Sequence, residues 1–118
     1  MRGGISDKAR LQHILDAIHE IENYTREITF EEFSGSSEKK FASVKQLEII
    51  GEAANRITSE TKADHPEIGW QKIIALRNIL VHDYYVIDEN IVWGIIKKDL
   101  PELKNQIVII LAKLSQGN

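Results

Sequence analysis

Leucine and isoleucine recur every three or four residues along most of this chain of 118 residues, and this spacing sets the fold class. The first apolar series comprises Leu11, Ile14, Leu15, Ile18, Ile21 and Ile28. A second series comprises Phe41, Val44, Leu47, Ile50, Ala54 and Ile57. Residues at these intervals share one face of an α-helix, whereas the brief β-branched runs fit helices as well as strands. The sequence therefore predicts an all-α protein.

Capping residues mark where the first predicted helices begin. Ser6 or Asp7 is expected to cap a first helix that runs to about Ile28, because their side-chain oxygens accept hydrogen bonds from unpaired amides of the first turn. The stretch Thr29-Phe30-Glu31-Glu32 has the form of a capping box. It predicts a short extra helical turn after the first helix.

The clearest break in the chain is Ser34–Ser37, which is rich in serine and contains a glycine. The second helix follows this break and is expected to fray near Thr61, with residues 63–69 forming a loop. Residues 70–81 predict a third helix that is apolar nearly all round. Such a helix is usually buried against partners on several sides.

Two further helices are expected in the last third of the chain. Asp88 is expected to cap a fourth helix, and Asp99 a fifth helix with Pro101 in its first turn. The inner positions of these helices are Ile91, Val92, Ile95, Ile96, Leu103, Ile107, Ile110, Leu111 and Leu114. Because the chain shows no repeat and no linker, we expect residues 1–118 to form a single bundle of four to five helices.

Composition excludes several classes of protein. The chain contains no cysteine, which excludes disulfides and thiolate metal sites and favours a cytoplasmic location. Its longest apolar run, Ile107–Ala112, is far shorter than the roughly 20 residues that span a bilayer, so we expect no membrane contact. The formal net charge is −3 and no basic stripe is present. Any RNA is therefore expected to be held locally in a cleft, and DNA is not an expected partner.

One polar cluster interrupts the helical pattern, within residues 77–85 at the end of the predicted third helix. It contains Arg77, Asn78, His82 and Tyr84. Asn78 and His82 are four residues apart and share one face of a helix, so the amide is placed to orient the imidazole ring. Arg77 and His82 are five residues apart, which separates them by about 140° around a regular helix. They can meet around one substrate if the helix ends near His82 or if two copies pack across a dimer axis.

An arginine and a histidine in one cleft support phosphodiester transfer in RNA. Histidine titrates near neutral pH, so His82 can remove a proton from a ribose 2′-hydroxyl or protonate the leaving oxygen. The Arg77 guanidinium offers a planar fork of donors to the negatively charged, phosphorane-like transition state. Neither step needs a metal, and no metal site is expected. The alternative from the residues alone is that Arg77 pairs with an acidic neighbour such as Glu48 or Glu52, while His82 ends the helix by bonding a carbonyl.

The two glutamates of the second helix face the same way, because Glu48 and Glu52 are four residues apart. We expect one to be solvated and the other to pair with Arg77 or Arg56, where it could help to orient the Arg77 guanidinium. Gly51 lies between them and costs a helix about 1 kcal/mol relative to alanine. Its presence predicts the close approach of another helix, the one that carries Arg77.

The chain resembles the HepT-like (DUF86) group of the HEPN superfamily over nearly its whole length. The stretches that carry the resemblance are Leu47–Ala54, His65–Trp70, Arg77-Asn78, His82–Tyr84, Val92-Trp93 and Asp99–Leu103. The central Arg-x4-His-x-Tyr signature is intact as Arg77, His82 and Tyr84. The resemblance implies a HEPN helical bundle that acts as a metal-independent endoribonuclease toxin. It also implies a homodimer across the helix that carries the signature, with the arginine and histidine of both copies lining one RNA-cleaving cleft.

The resemblance further implies a switch at Tyr84. In this family a nucleotidyltransferase of the MNT type serves as antitoxin and transfers AMP from ATP onto the tyrosine of the signature. An AMP group on Tyr84 would place phosphate where Arg77 would hold substrate. The toxin itself is expected to need no cofactor, since ATP is used by the partner. The alternative is a non-catalytic helical dimer that binds nucleotide or RNA, or that docks the antitoxin.

Overall fold

The computed structural model describes residues 6–79 and 88–116, whose regular structure is entirely helical. The helices are α1 (Asp7–Thr25), α2 (Phe30–Ser34), α3 (Ser37–Asn55), α4 (Ser59–Asp64), α5 (Trp70–Ile74), α6 (Leu76–Ile79), α7 (Glu89–Gly94) and α8 (Leu100–Gln116). A π-helical segment, Ile95–Asp99, joins α7 to α8. The predicted all-α fold is thus confirmed for the described ranges. No helix within them combines the length and apolar character needed to cross a membrane.

The core of the bundle is built where α1 packs against α3 and α8. Its fully buried side chains include Leu11, Ile14, Ile18, Ile21, Leu47, Ile50, Ile107 and Ile110. Each buried aliphatic side chain of this kind contributes on the order of 1.5–3 kcal/mol to folding, before the entropy of ordering the chain is counted. The short helices α5 and α6 pack on α3, so α3 is the element that positions the segment leading to the polar cluster.

Three predicted helix starts are confirmed by capping hydrogen bonds. The Ser6 hydroxyl accepts from the Ala9 amide at 3.1 Å, and Asp88 caps α7 through the Ile91 amide at 3.2 Å. At α2 the predicted capping box is present in full, with the Thr29 and Glu32 side chains each accepting from the backbone of the other residue. These bonds satisfy amides that a helix leaves unpaired in its first turn.

Two helices end earlier than predicted. α1 stops before Ile28 because Glu27 adopts a positive φ of 64°, a conformation that a right-handed helix excludes. The predicted continuation of the second helix to Thr61 is also wrong. α3 ends at Asn55, and the Thr58 hydroxyl then caps α4 by accepting from the Thr61 amide at 3.3 Å. Part of the predicted loop at 63–69 is thus the end of α4.

The predicted third helix is interrupted at Ala75, which separates α5 from α6. The Asn78 amide donates to the Ala75 carbonyl at 3.0 Å, a three-residue spacing that tightens the chain after the break. Ile73 and Ile74 are only half-buried, so burial on all sides is not observed for this helix. Residues 80 and 81, predicted to end it, lie outside the described residues.

The predicted cap at Asp99 is wrong, because the chain runs continuously through the π-helical segment into α8. The Leu100 amide donates to the Ile95 carbonyl, five residues back. Pro101 follows directly, and in a regular α-helix its ring would clash with the carbonyl of Lys97, four residues earlier. The wider π turn accommodates this proline inside a continuous helix. A cap and a separate fifth helix are therefore not needed.

Two residues predicted on inner faces are exposed. Phe41 on α3 is 54% exposed and Ile91 on α7 is 48% exposed, whereas their apolar neighbours Val44 and Val92 are buried. Periodicity identifies the apolar stripe of a helix, but it does not identify which edge of a wide stripe the neighbouring helices cover.

The start of α1 is tied to the start of α4 by the Asp7 carboxylate. It accepts from the Thr58 amide at 3.1 Å, from the Thr58 hydroxyl at 2.6 Å and from the Thr61 hydroxyl. Partial burial raises the pKa of Asp7, but these hydrogen bonds and the nearby Lys62 charge together lower it below the ordinary value of 3.8. The carboxylate therefore stabilises the fold above about pH 3.8, and this contribution is lost as the pH falls through the lowered folded-state pKa.

We expect Asp7→Asn to lower the free energy of unfolding by about 1–2 kcal/mol at neutral pH, the usual cost of weakening buried or charged hydrogen bonds. The difference between the variant and the unmodified protein should shrink as the pH is lowered below about 3.8, because the native carboxyl then becomes neutral as well. Urea unfolding at several pH values measures both quantities. Asp16→Asn is the control, since Asp16 on the same helix is exposed and, among the described residues, accepts a hydrogen bond only from Gln12, at 2.9 Å. A pH-independent difference would contradict the role of the Asp7 charge.

Candidate active site

Arg77 lies on α6 at the point where this helix touches α3. A side-chain Cβ built on Gly51 would lie 2.7 Å from the Arg77 amide nitrogen, 3.1 Å from the Arg77 Cβ and 3.1 Å from the Ile74 carbonyl oxygen. These are backbone or near-backbone atoms, so only glycine allows α3 and the α5–α6 segment to come this close. The predicted close approach at Gly51 of the segment that carries Arg77 is confirmed.

Glu52 follows Gly51 and faces two arginines. Its Oε1 atom lies 3.6 Å from Arg77 Nη1, and its Oε2 atom lies 3.5 Å from Arg56 Nη2. Both separations exceed the range of a good N–H···O hydrogen bond, so the carboxylate holds each guanidinium as a loose ion pair. The Arg77 side chain is 32% exposed, and Glu52 is the only carboxylate within 4 Å of it among the described residues. Glu52 is thus the glutamate that pairs with the arginines, while its role in orienting Arg77 for chemistry stays a prediction.

The other predicted site residues are placed less completely. Glu48 is half-buried one turn before Glu52, and no ion pair joins it to a basic side chain in the described part of the chain. Asn78 is exposed next to Arg77 on α6. His82 and Tyr84 lie outside the described residues. The structure therefore brings together Arg77, Glu52 and Arg56, and leaves the predicted contact between Asn78 and His82 as a prediction.

Glu89, the first residue of α7, belongs to a second polar cluster. Its carboxylate accepts from Lys40 Nζ at 2.7 Å and from the Ser34 hydroxyl at 2.6 Å. The hydrogen bond from Lys40, and then that from Ser34, lower the pKa of Glu89. These bonds hold the start of α7 to α2 and α3, as the contact at Gly51 holds α6 to α3. Sequence reasoning did not identify this cluster, because Glu89 lies 49 positions after Lys40 and 55 after Ser34, and no local pattern joins them.

No group of three or more histidine, aspartate or glutamate side chains is arranged to bind a metal ion within residues 6–79 and 88–116. At the C-terminal end of α3, two guanidinium groups and one carboxylate converge. Such a group is suited to binding an anion, because arginine presents several donors in a planar fork that matches phosphate and carboxylate oxygens.

The comparison with known proteins agrees with this chemistry. Residues 14–110 match the family described as "Ribonuclease HepT-like". A protein of Thermococcus cleftensis named "Probable ribonuclease HepT" is 42% identical over 101 residues, covering 86% of this chain and 92% of that one. A protein of Methanocaldococcus jannaschii named "Putative RNase MJ1380" is 35% identical over 103 residues, covering 87% of this chain and 94% of that one. No solved structure shows a significant match. The chain therefore belongs to the ribonuclease HepT-like family.

Proposed function

We propose that this chain is a metal-independent endoribonuclease and the toxin of a toxin–antitoxin pair. The observation that carries the proposal is the placement of Arg77. Its guanidinium is partly exposed and, among the described residues, forms only a loose ion pair with Glu52, which leaves donors for a substrate phosphate. The names of the related proteins, which refer to ribonucleases, support RNA as the substrate.

The proposed reaction is an internal transesterification at one phosphodiester. His82 removes the proton of a ribose 2′-hydroxyl, and the resulting oxygen attacks the adjacent phosphorus. A bond to the 2′-oxygen forms while the bond to the 5′-oxygen breaks, which leaves a 2′,3′-cyclic phosphate. The departing oxygen takes a proton from a protonated histidine or from water and becomes a 5′-hydroxyl. Arg77 stabilises the charge that develops on the phosphoryl oxygens, and Asn78 orients the His82 ring.

The proposed cleft is formed by two copies of the chain. On a regular helix Arg77 and His82 point about 140° apart, so a second copy allows one arginine and the other copy's histidine to face the same phosphate. The half-buried Ile73 and Ile74 support this arrangement, because they leave apolar surface beside Arg77 that a second copy can cover. An isologous contact of this kind is the commonest way for a chain to form a homodimer.

The proposed control is AMP addition at Tyr84 by a partner nucleotidyltransferase. The Tyr84 oxygen would attack the α-phosphorus of ATP, forming a phosphodiester to AMP and releasing pyrophosphate. The attached phosphate would compete with RNA for the Arg77 guanidinium, and the nucleoside would fill the cleft. Charge and bulk would thus act together to silence the enzyme.

Expression in growing cells, with and without the nucleotidyltransferase, tests this proposal. Without the partner we expect growth arrest; with it we expect normal growth and an AMP group on the peptide that contains Tyr84, found by intact mass and peptide mapping. Tyr84→Phe should remain toxic in the presence of the partner, because the acceptor oxygen is missing. Normal growth with folded, unmodified protein present would contradict the proposal and favour a non-catalytic dimer that binds RNA or nucleotide.

A further inference from the structure

A second arginine stands beside Arg77 without an assigned role. Arg56 is the C-cap residue directly after α3, four positions after Glu52, and its side chain is 56% exposed. The two oxygens of the Glu52 carboxylate face different guanidinium groups, Oε2 towards Arg56 and Oε1 towards Arg77. Because Gly51 allows α6 to pack closely against α3, the residue that caps α3 and a residue of α6 both reach one carboxylate.

The negative charge of Glu52 does not by itself balance the positive charges of the two arginines beside it. Arg56 and Arg77 carry two positive charges against the single negative charge of Glu52, with the carboxylate of Glu48 one turn further back on α3. The nitrogens of Arg56 and Arg77 that pair with Glu52 lie 3.5 and 3.6 Å from its carboxylate oxygens, beyond the range of a good hydrogen bond. Neither guanidinium donates a hydrogen bond to another described residue, so within residues 6–79 and 88–116 their donors are available to a ligand.

A simple structural explanation covers only part of this arrangement. An exposed pair four residues apart on one helix is common and weak, and a cation suits the C-terminal end of a helix. Those effects account for the contact between Arg56 and Glu52. They do not account for the use of the same carboxylate to hold Arg77, the residue on which the proposed reaction depends.

We propose that Arg56 binds the RNA phosphate next to the one held by Arg77. The two arginines pair with different oxygens of Glu52, so a single phosphate bridging both would have to replace a negatively charged group, whereas two consecutive phosphates can each bind one arginine. Arginine binds phosphate through paired, charge-assisted hydrogen bonds that are shorter than the loose contacts to Glu52, so phosphate competes well. Arg56 is thus a substrate-binding residue. This inference rests on the proposed function for RNA as the ligand.

The test is equilibrium binding of a single-stranded RNA that cannot be cleaved. A short 2′-O-methyl oligonucleotide lacks the attacking hydroxyl, and its binding is followed by fluorescence anisotropy over a series of salt concentrations. Each phosphate contact to single-stranded RNA contributes about 0.7 to the slope of log K against log salt. We expect Arg56→Ala to weaken binding several-fold at low salt and to reduce this slope by about 0.7. Arg56→Lys, which retains the charge, should keep the slope but bind less tightly than the unmodified protein.

Arg26→Ala is the matched control, since it removes the same charge from the opposite end of the bundle. Arg26 directly follows the last residue of α1. The other end of α1 lies near Arg56, because Asp7 bonds to Thr58, two positions after Arg56. The 19 residues of α1 place these ends about 28 Å apart. Arg26→Ala should therefore leave both the affinity and the salt slope unchanged.

The outcomes separate this inference from the proposed function. If the salt slope depends on Arg56 but the protein cleaves no RNA, the phosphate site is supported and the proposed nuclease activity is contradicted. If Arg56→Ala leaves the affinity and the salt slope unchanged while the unmodified protein cleaves RNA, only the phosphate site is overturned. An equal loss in Arg56→Ala and Arg26→Ala would overturn it too, because the effect would then reflect overall charge. The absence of measurable RNA binding by the unmodified protein would also overturn the phosphate site.

Discussion

Replacing Arg77 with alanine is expected to reduce the rate of RNA cleavage by about 10²-fold or more while leaving the fold intact. Removing one preorganised donor to a developing oxyanion typically costs 10²–10³-fold in rate, and Arg77 supplies a charged fork of such donors. The effect on stability should be small, because exposed ion pairs such as that with Glu52 are worth about 0–1 kcal/mol. Initial rates on a labelled RNA, together with urea unfolding, measure the two effects separately.

His82→Ala is the companion variant, with an expected loss of about 10²–10⁴-fold if His82 is the general base. Arg77→Lys distinguishes charge from geometry, since lysine keeps the charge but loses the planar fork. We expect Arg77→Lys to recover only a small part of the lost rate. Cleavage by Arg77→Ala at the rate of the unmodified protein would exclude Arg77 from the site and, with it, the account of the cluster at residues 77–85.

Gly51→Ala is expected to destabilise the protein by about 1–2 kcal/mol and to lower cleavage at least tenfold. The new Cβ would lie 2.7 Å from the Arg77 amide nitrogen, which no side-chain rotation relieves, so α3 and α6 must separate. Overpacking of this kind costs about 1–3 kcal/mol, and the better helix propensity of alanine returns up to about 1 kcal/mol. A displacement of Arg77 by about 1 Å is enough to reduce catalysis strongly.

Gly94→Ala is the control for this prediction, because a Cβ at Gly94 would meet nothing within 4 Å. Gly94 has helical backbone angles, so alanine there should stabilise the protein by about 0.5–1 kcal/mol and leave cleavage unchanged. Urea unfolding of both variants gives the comparison. If Gly51→Ala were as stable as Gly94→Ala, the close packing of α3 against α6 would not position Arg77.

Local signals allowed the helical class and several helix starts to be predicted from the sequence. The caps at Ser6, Thr29 and Asp88 each depend on residues within one turn of the helix start, so the sequence contains all the information they need. The break at Ala75 and the π-helical segment before Pro101 were not predicted. The first lies where α6 meets α3, and the second depends on how a continuous helix accommodates a proline, which apolar periodicity does not reveal.

The candidate site was predictable where one residue implied another. A glycine inside α3 indicated a close backbone contact, and the spacing of Glu48 and Glu52 indicated which face would meet an arginine. The sequence did not show that Glu52 rather than Glu48 makes the contact, or that Arg56 and Arg77 share it. Those features depend on the position of α6 along α3, which only the packed structure gives.

The most direct test of the central claim is the chemistry of the RNA ends produced by purified protein whose mass shows no AMP on Tyr84. We expect cleavage that persists in EDTA and leaves a 2′,3′-cyclic phosphate on one fragment and a 5′-hydroxyl on the other. Both ends follow from attack by the 2′-oxygen with His82 as base and Arg77 as the phosphate-binding cation. Cleavage that requires a divalent metal and leaves 3′-hydroxyl and 5′-phosphate ends would contradict this mechanism, as would intact RNA in the presence of folded, unmodified protein.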